Sequence, residues 1–225
     1  EVVKYEPLYL DEQLIQQAPS IALGNAKKEL LHLGNYAVKA FDLSYDYIIN
    51  SNEKVAEKGH KTEEAINTID EKLTRYLITL SSEALSQKES EVLTNILDSS
   101  RDLERIGDHA EALINLNDYL QRKNVHFSNS ALEELEEIYR QTSEFVKDAL
   151  ESVENNDLEM AESLIERHEA INKMERVLRK THIKRLNNGE CSTQAGVNFI
   201  DIISHYTRVS DHAMNLAEKV LAEQI

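Results

Sequence analysis

Acidic and histidine side chains recur at helical spacing within residues 98–111. At about 100° per residue they fall along two flanks of one predicted helix: Glu104, Asp108 and Glu111 on one, and Asp98, Asp102 and His109 on the other. Carboxylate oxygens with some imidazole nitrogen suit iron, manganese, zinc or magnesium. The spacing therefore predicts metal ligands. Arg101 and Arg105 leave open the alternative that the acids form ordinary surface ion pairs.

The same pattern occurs a second time 103 residues later, where residues 208–213 repeat residues 105–110. Three potential ligands are repeated in the second copy: Asp201, Asp211 and His212. Thr207 stands there in place of Glu104, however, and Met214 in place of Glu111. We therefore expect the second site to be weaker or differently composed.

The first helix of each half carries acids at four-residue spacing as well. Asp42 and Asp46 form this pair in the first half. If these carboxylates face those of the third helix, their mutual repulsion raises their pKa values or demands a cation. The sequence also holds two E-x-x-H motifs, residues 29–32 and 57–60, which in di-iron carboxylate bundles supply a Glu and a His ligand. The duplication preserves neither motif, and a di-iron enzyme is the rival hypothesis.

The elements that position these residues are predicted to be helices. Both prolines lie in the first twenty residues, so the strongest helix breaker is missing from the rest of the chain. Apolar residues at three- and four-residue steps predict helices at about 20–49, 53–80, 89–122, 129–154, 158–186 and 192–223. The prediction is an all-α protein of two tandem three-helix bundles: residues 1–19 form an extended lead-in, 20–122 the first repeat and 126–225 the second. Ser20 and Asp157 are the expected N-caps of their helices.

Composition narrows the class of function. The net charge of −16 argues against nucleic-acid binding, which needs clustered Lys and Arg, and suits cations or basic protein surfaces. Cys191 is the only cysteine, so no intramolecular disulfide can form and a reducing compartment is expected. No apolar run is long enough to span a bilayer and no signal peptide is visible, which predicts a soluble piece. A metal-free helical protein-docking module remains a third hypothesis.

The stretch Arg101–Glu111 resembles the signature of PhoU proteins, in which an acidic residue is followed four positions later by Asp, once per three-helix repeat. Glu104 and Asp108 match this motif fully, and in the second half only Asp211 does. The resemblance covers about residues 20–225. Residues 9–30 further resemble the junction at which bacterial sodium-dependent phosphate cotransporters (Na/Pi type) pass from membrane helices into a cytoplasmic PhoU-like tail.

The resemblance implies a non-enzymatic regulatory domain in phosphate transport or phosphate signalling that binds metal on its acidic helix faces. It implies a location on the cytoplasmic side of the cell membrane, as part of an integral membrane transporter. The implied partners are the membrane portion of the transporter or proteins of phosphate uptake and signalling, and a homodimer stays open. Which metal ion is the cofactor (Fe, Mn, Zn or Mg) also stays open.

Overall fold

The computed structural model describes residues 6–225, and that part of the chain is all-α. Its helices are α1 Gln13–Gln17, α2 Pro19–Asn50, α3 Glu53–Leu80, α4 Gln87–Arg122, α5 Asn129–Asn155, α6 Leu158–Asn187 and α7 Thr193–Leu221. Both the fold class and the six long helices predicted from the apolar periodicity are confirmed.

The two halves repeat their turn chemistry as well as their helices. Ser51 and Asn156 end α2 and α5 with φ of 52° and 48°, the left-handed conformation that closes a helix C-terminus. The next residue in each half caps the following helix. The Asn52 side chain accepts from the Lys54 backbone N–H, and Asp157 accepts from that of Met160. The predicted cap at Asp157 is therefore confirmed.

The lead-in differs from the prediction. It is not extended throughout, because Gln13–Gln17 form the short helix α1, and residues 1–5 lie outside the described part of the chain. Ser20 is not an N-cap, since α2 begins at Pro19, and its hydroxyl instead donates to the Glu89 carboxylate at 2.6 Å. Proline is well suited to the first position of a helix because the amide that it lacks would have no partner there.

The lead-in is fixed to the body by one buried carboxylate. Glu29 on α2 is fully buried and accepts the backbone N–H of Leu8 at 3.0 Å and of Tyr9 at 2.9 Å. Tyr76 on α3 adds a hydroxyl that donates to the Asp11 carbonyl at 2.8 Å. Residues 8–11 are therefore held against α2 and α3.

The halves lie side by side around one continuous apolar core. Helices α2, α3 and α4 pack on one another in the first half, and α5, α6 and α7 do so in the second. The halves pack closely where α2 meets α5 and where α4 meets α7. Phe41 of α2 meets Tyr206 of α7 edge to face with ring centroids 5.2 Å apart, and both side chains are fully buried. Among the described residues, no helix is long and apolar enough to cross a membrane.

Candidate functional site

The acidic side chains of α4 share a groove with acidic side chains of α3. We define the acidic groove by its members: His60, Glu63 and Asp70 on α3, and Glu104, Asp108 and Glu111 on α4. The carboxylates of the two helices are close enough to raise one another's pKa. Asp70 on α3 raises the pKa of Glu104, and Asp108 and Glu111 on α4 raise that of Glu63. The groove therefore brings together three of the predicted ligands, Glu104, Asp108 and Glu111.

Glu104 is the most perturbed acid of the groove. Burial, then the neighbouring charge of Asp108 and a hydrogen bond with it, and then the charge of Asp70 raise its pKa from 4.5 to about 7. Arg105 opposes the shift weakly, because its Nε lies 3.9 Å from the Glu104 carboxylate. The pKa of Glu63 is raised too, first by burial and then by Glu111 and Asp108. The groove holds more negative charge than its own cations offset.

Two side chains form hydrogen bonds with carboxylates of the groove. His60 Nδ1 lies 2.8 Å from the Glu111 carboxylate, and the Ser100 hydroxyl donates to Asp70 at 2.6 Å. These contacts orient two of the carboxylates at the ends of the groove and leave Glu104 and Asp108 between them.

The donors of the groove fit a hard metal ion in type. They are carboxylate oxygens with one imidazole, the set that suits magnesium, manganese or iron. In their present positions, however, no three His, Cys, Asp or Glu side chains within residues 6–225 close around one point as a finished ion site. Metal binding here would require a change of rotamer in side chains such as Asp108, which is exposed.

At the corresponding positions of the second half, the acidic side chains pair with basic ones. Asp211, the counterpart of Asp108, lies 2.7 Å from His168 Nε2. Glu175, at the position of Asp70, pairs with Arg179 at 2.5 Å. Thr207, in place of Glu104, turns its hydroxyl to the Ser204 carbonyl at 2.9 Å. Asp211 and Glu175 each have a basic partner, as Glu111 has in His60, and Thr207 leaves the second half without the acid that Glu104 supplies in the first.

Other predicted ligands lie between the halves, on the facing sides of α4 and α7. Asp102 accepts from His212 Nδ1 at 2.9 Å and lies 3.7 Å from Lys219 Nζ. Asp201 lies 3.8 Å from His205 Nε2, and Asp98 is exposed on α4. Asp102 and His212 therefore belong to the contact between halves, whereas Asp201 pairs with His205 within α7.

The carboxylates of α2 do not face α4 as expected. Asp42 turns to α5, where it accepts hydroxyl hydrogen bonds from Tyr139 and Ser143, both at 2.6 Å, and lies 3.4 Å from Lys147 Nζ. Asp46 accepts instead from the Asn50 side chain. The helix that lies across the groove from α4 is α3.

The E-x-x-H motifs are not assembled into a di-iron centre. Glu29 holds the lead-in, and the ring of its companion His32 packs edge-on against Tyr36 at 4.9 Å between centroids. His60 pairs with Glu111, while Glu57 is exposed. The two motifs therefore serve different contacts.

Sequence reasoning missed Glu63 and Asp70. Both flank the buried stripe of Ile66, Ile69 and Leu73 on α3, at a seven-residue spacing that places them on one side of the helix. The seven-residue spacing is visible in the sequence. It indicates a site only once α4 is known to pack against this side of α3.

Known proteins resemble this chain in sequence and in fold. The model of the PhoU domain family matches residues 30–116 and again residues 135–220. The phosphate-specific transport system accessory protein PhoU homolog 1 of Thermotoga maritima is 30% identical over 79% of this chain and 68% of its own length. A PhoU homolog of Xylella fastidiosa is 23% identical over 86% of this chain and 79% of its own length.

Two solved structures show the same fold. The crystal structure of PhoU from Pseudomonas aeruginosa superposes with a TM-score of 0.81 at 21% identity and covers 90% of this chain and 98% of that one. The phosphate transport system regulatory protein PhoU from Streptococcus pneumoniae gives 0.81 at 19% identity, over 92% and 99% of the two chains. With a family model that matches each three-helix half in turn, and a relative 30% identical over most of the chain, this protein belongs to the PhoU domain family.

Proposed function

We propose that this chain is a non-enzymatic regulatory domain of phosphate transport that binds a metal ion in the acidic groove of its first half. The curated relatives are named as accessory proteins of phosphate-specific transport systems, which supports the regulatory role. The observation that supports the metal site is the mutual repulsion of the groove carboxylates: Asp108 raises the pKa of both Glu104 and Glu63, and Arg105, at 3.9 Å from Glu104, opposes the shift of Glu104 only in part.

The residues that would hold the ion are Glu104, Asp108, Glu63 and Glu111, from both walls of the groove. A bound cation supplies the positive charge that these carboxylates lack. Without it, Glu104 retains a proton up to about pH 7, because burial and its acidic neighbours disfavour its charged form. Ionised Glu104 and Asp108 on α4 and Glu63 on α3 then attract one shared cation, which stabilises the packing of the two helices.

Helix α4 connects this groove to the rest of the protein. Its groove flank carries Glu104 and Asp108, and the neighbouring flank carries Asp102 and His109, which contact α7. A change in the position of α4 relative to α3 therefore changes the contact between halves as well. We propose this rearrangement as the signal that a partner protein reads.

The partner proposed is a membrane transporter, in the arrangement of a sodium-dependent phosphate cotransporter with this domain on the cytoplasmic side. Two features support it. Residues 8–11, within the stretch that resembles the cotransporter junction, are held on the domain through Glu29 and Tyr76. The net charge of −16 suits a basic docking surface.

Metal analysis of tag-free protein tests the proposal. We expect stoichiometric metal in purified protein and a rise in melting temperature on addition of Fe, Mn, Zn or Mg, both lost in the double variant Glu104→Gln, Asp108→Asn. The matched control is Asp211→Asn, which alters the counterpart of Asp108 in the second half and should leave both readouts unchanged. Metal-free protein that is indifferent to every cation would overturn the metal site and favour a docking module that needs no ligand.

A further inference from the structure

The outward face of α6 carries a row of cations in an acidic protein. Lys and Arg occupy six of the thirteen positions 173–185, beside one acid, Glu175, although the whole chain has 41 Asp and Glu against 25 Lys and Arg. Two of the six have partners, since Arg179 pairs with Glu175 and Arg185 pairs with Glu134. The other four are exposed and form no ion pair with any residue that the structure describes: Lys173, Arg176, Lys180 and Lys184. We call these four residues the basic stripe.

Helical spacing places the basic stripe on one side of α6. At about 100° per residue, its four cations fall within an arc of about 80°. Val177 and Ile183, which are 54% and 45% exposed, lie at the two edges of that arc. Leu178 lies opposite the arc and is buried, and among the described helices α6 packs only on α5 and α7. The stripe therefore faces away from the body of the protein.

The internal repeat does not account for the stripe. A shift of 105 residues relates α3 to α6, and the four equivalent positions of α3 carry no net charge: Thr68, Glu71, Arg75 and Thr79. Arg75 is paired there with Glu71 at 2.5 Å. The row of unpaired cations is thus a property of the second half, which distinguishes the outer face of α6 from that of α3.

Stabilisation of α6 itself accounts only for the end of the stripe. Cations in the last turn of a helix interact favourably with the helix dipole, and the effect is confined to that turn. Lys184 lies in the last turn of α6. Lys180 precedes the helix end at Asn187 by about two turns, and Lys173 and Arg176 precede it by more. The helix dipole therefore leaves three of the four cations unexplained.

We propose that the basic stripe docks this protein on an anionic lipid surface. Each Lys or Arg near such a surface is stabilised by its negative potential, and exposed aliphatic side chains such as Val177 and Ile183 can enter the edge of the headgroup layer. The stripe runs over about 17 Å of helix, from Lys173 to Lys184, so it meets several headgroups at once.

The residue types of the stripe favour lipid over an acidic peptide. Three of its four cations are Lys, a flexible point charge that suits diffuse headgroup charge. A site built for the carboxylates of a peptide favours Arg, whose planar fork binds one carboxylate through two hydrogen bonds. Arg176 is the only Arg of the stripe.

The net charge of −16 does not prevent this contact. The Debye length is about 8 Å at physiological ionic strength, and a helix with its side chains is about 10–12 Å across. Acids on the far side of α6 are therefore largely screened from a surface that touches the stripe. The acids on the outer face of α6 itself all precede Lys173: Glu162, Glu166 and Glu169. The C-terminal part of α6 is the part that meets the lipid. This inference does not depend on the proposed metal site, which lies between α3 and α4.

Sedimentation of the untagged chain with lipid vesicles tests the proposal. One set of vesicles is phosphatidylcholine alone, and the other is phosphatidylcholine and phosphatidylglycerol in equal parts. We expect binding to the mixed vesicles only, and binding that weakens as salt is raised. The variant Lys173→Gln, Lys180→Gln should bind the mixed vesicles about 25-fold more weakly, which is about fivefold for each cation removed.

The repeat supplies a matched control. Lys72→Gln, Arg75→Gln alters the equivalent face of α3 by the same net charge and should bind as the parent does. All four changed positions are exposed, so both variants should keep the helix content of the parent. Equal loss of binding in the two variants would contradict the proposal, because total charge rather than the stripe would then govern binding. Mixed vesicles that fail to bind the parent at low salt would also contradict it, and would favour an acidic protein as the partner of the stripe.

Discussion

Replacement of Glu104 by Gln should stabilise the metal-free protein above about pH 4.5, and most strongly at neutral to alkaline pH. The folded protein raises the pKa of Glu104 from 4.5 to about 7, so between these pH values the folded state binds a proton that the unfolded chain has released. Its stability therefore falls as pH rises through this window, and the full penalty is present above about pH 7. Below pH 4.5 the carboxyl is neutral in both states and carries no penalty.

The magnitude follows from the size of the shift. At 1.36 kcal/mol per pKa unit, the rise from 4.5 to about 7 corresponds to about 3 kcal/mol. The side chain keeps 20% of its exposure, and solvent screening reduces the net penalty to about 1–2 kcal/mol. For a domain of this size we expect Glu104→Gln to melt about 2–8 °C higher at pH 8, and at the same temperature as the parent at pH 4.5.

The assay is thermal and urea unfolding of both proteins between pH 4.5 and 9, with a chelator present. Glu91→Gln, an exposed change on the same helix, is the control and should behave as the parent does at every pH. Addition of Mn²⁺ or Mg²⁺ should reverse the order at pH 8, because it stabilises the parent and not the variant. A stability difference that is constant with pH, or that favours the parent at pH 8 in chelator, would refute the electrostatic account of the groove.

Three further changes probe the capping and packing of the fold. Asp157→Ala removes the cap of α6 and should cost about 1 kcal/mol in urea unfolding, and Asp157→Asn should restore most of it. Asp42→Ala leaves the Tyr139 hydroxyl without its acceptor between the halves and should cost about 1–3 kcal/mol, a loss that Asp46→Ala should not produce. Phe199→Ala empties a fully buried ring site in the second half and should cost about 3–5 kcal/mol; a cost under 1 kcal/mol would contradict the packing described.

The helices could be predicted because their signals are local. Asp157 marks the start of α6 by its own side chain, and the apolar stripe Ile66, Ile69 and Leu73 fixes the buried face of α3 by spacing alone. The short helix α1 was missed because five residues are too few to show periodicity. The two halves could be recognised because residues 105–110 recur as residues 208–213.

The groove was predicted only on its α4 side. Glu104, Asp108 and Glu111 lie four and three residues apart, so helical geometry alone places them on one side of α4. Which helix lies opposite them depends on tertiary packing, and acidic spacing on α2 was an equally good local signal as that on α3. Asp42 lies on the side of α2 that faces α5. The spacing of residues within α2 cannot predict which helix packs against that side.

The meeting of three histidines between α4 and α7 was not predicted either. His109, His205 and His212 were visible as single residues within the repeated motif. Their meeting depends on the antiparallel crossing of α4 and α7, which pairs each Asp or His position with the other type in the opposite half.

The most direct test of the central claim is a crystal structure of the protein soaked with Mn²⁺ and measured for anomalous scattering. We predict a peak between α3 and α4, within coordination distance of Glu104 and Asp108, and none beside Asp211 at the corresponding positions of the second half. A structure with no anomalous peak at Glu104 and Asp108, or with equal peaks in both grooves, would contradict the claim that uncompensated charge in the first half makes the metal site.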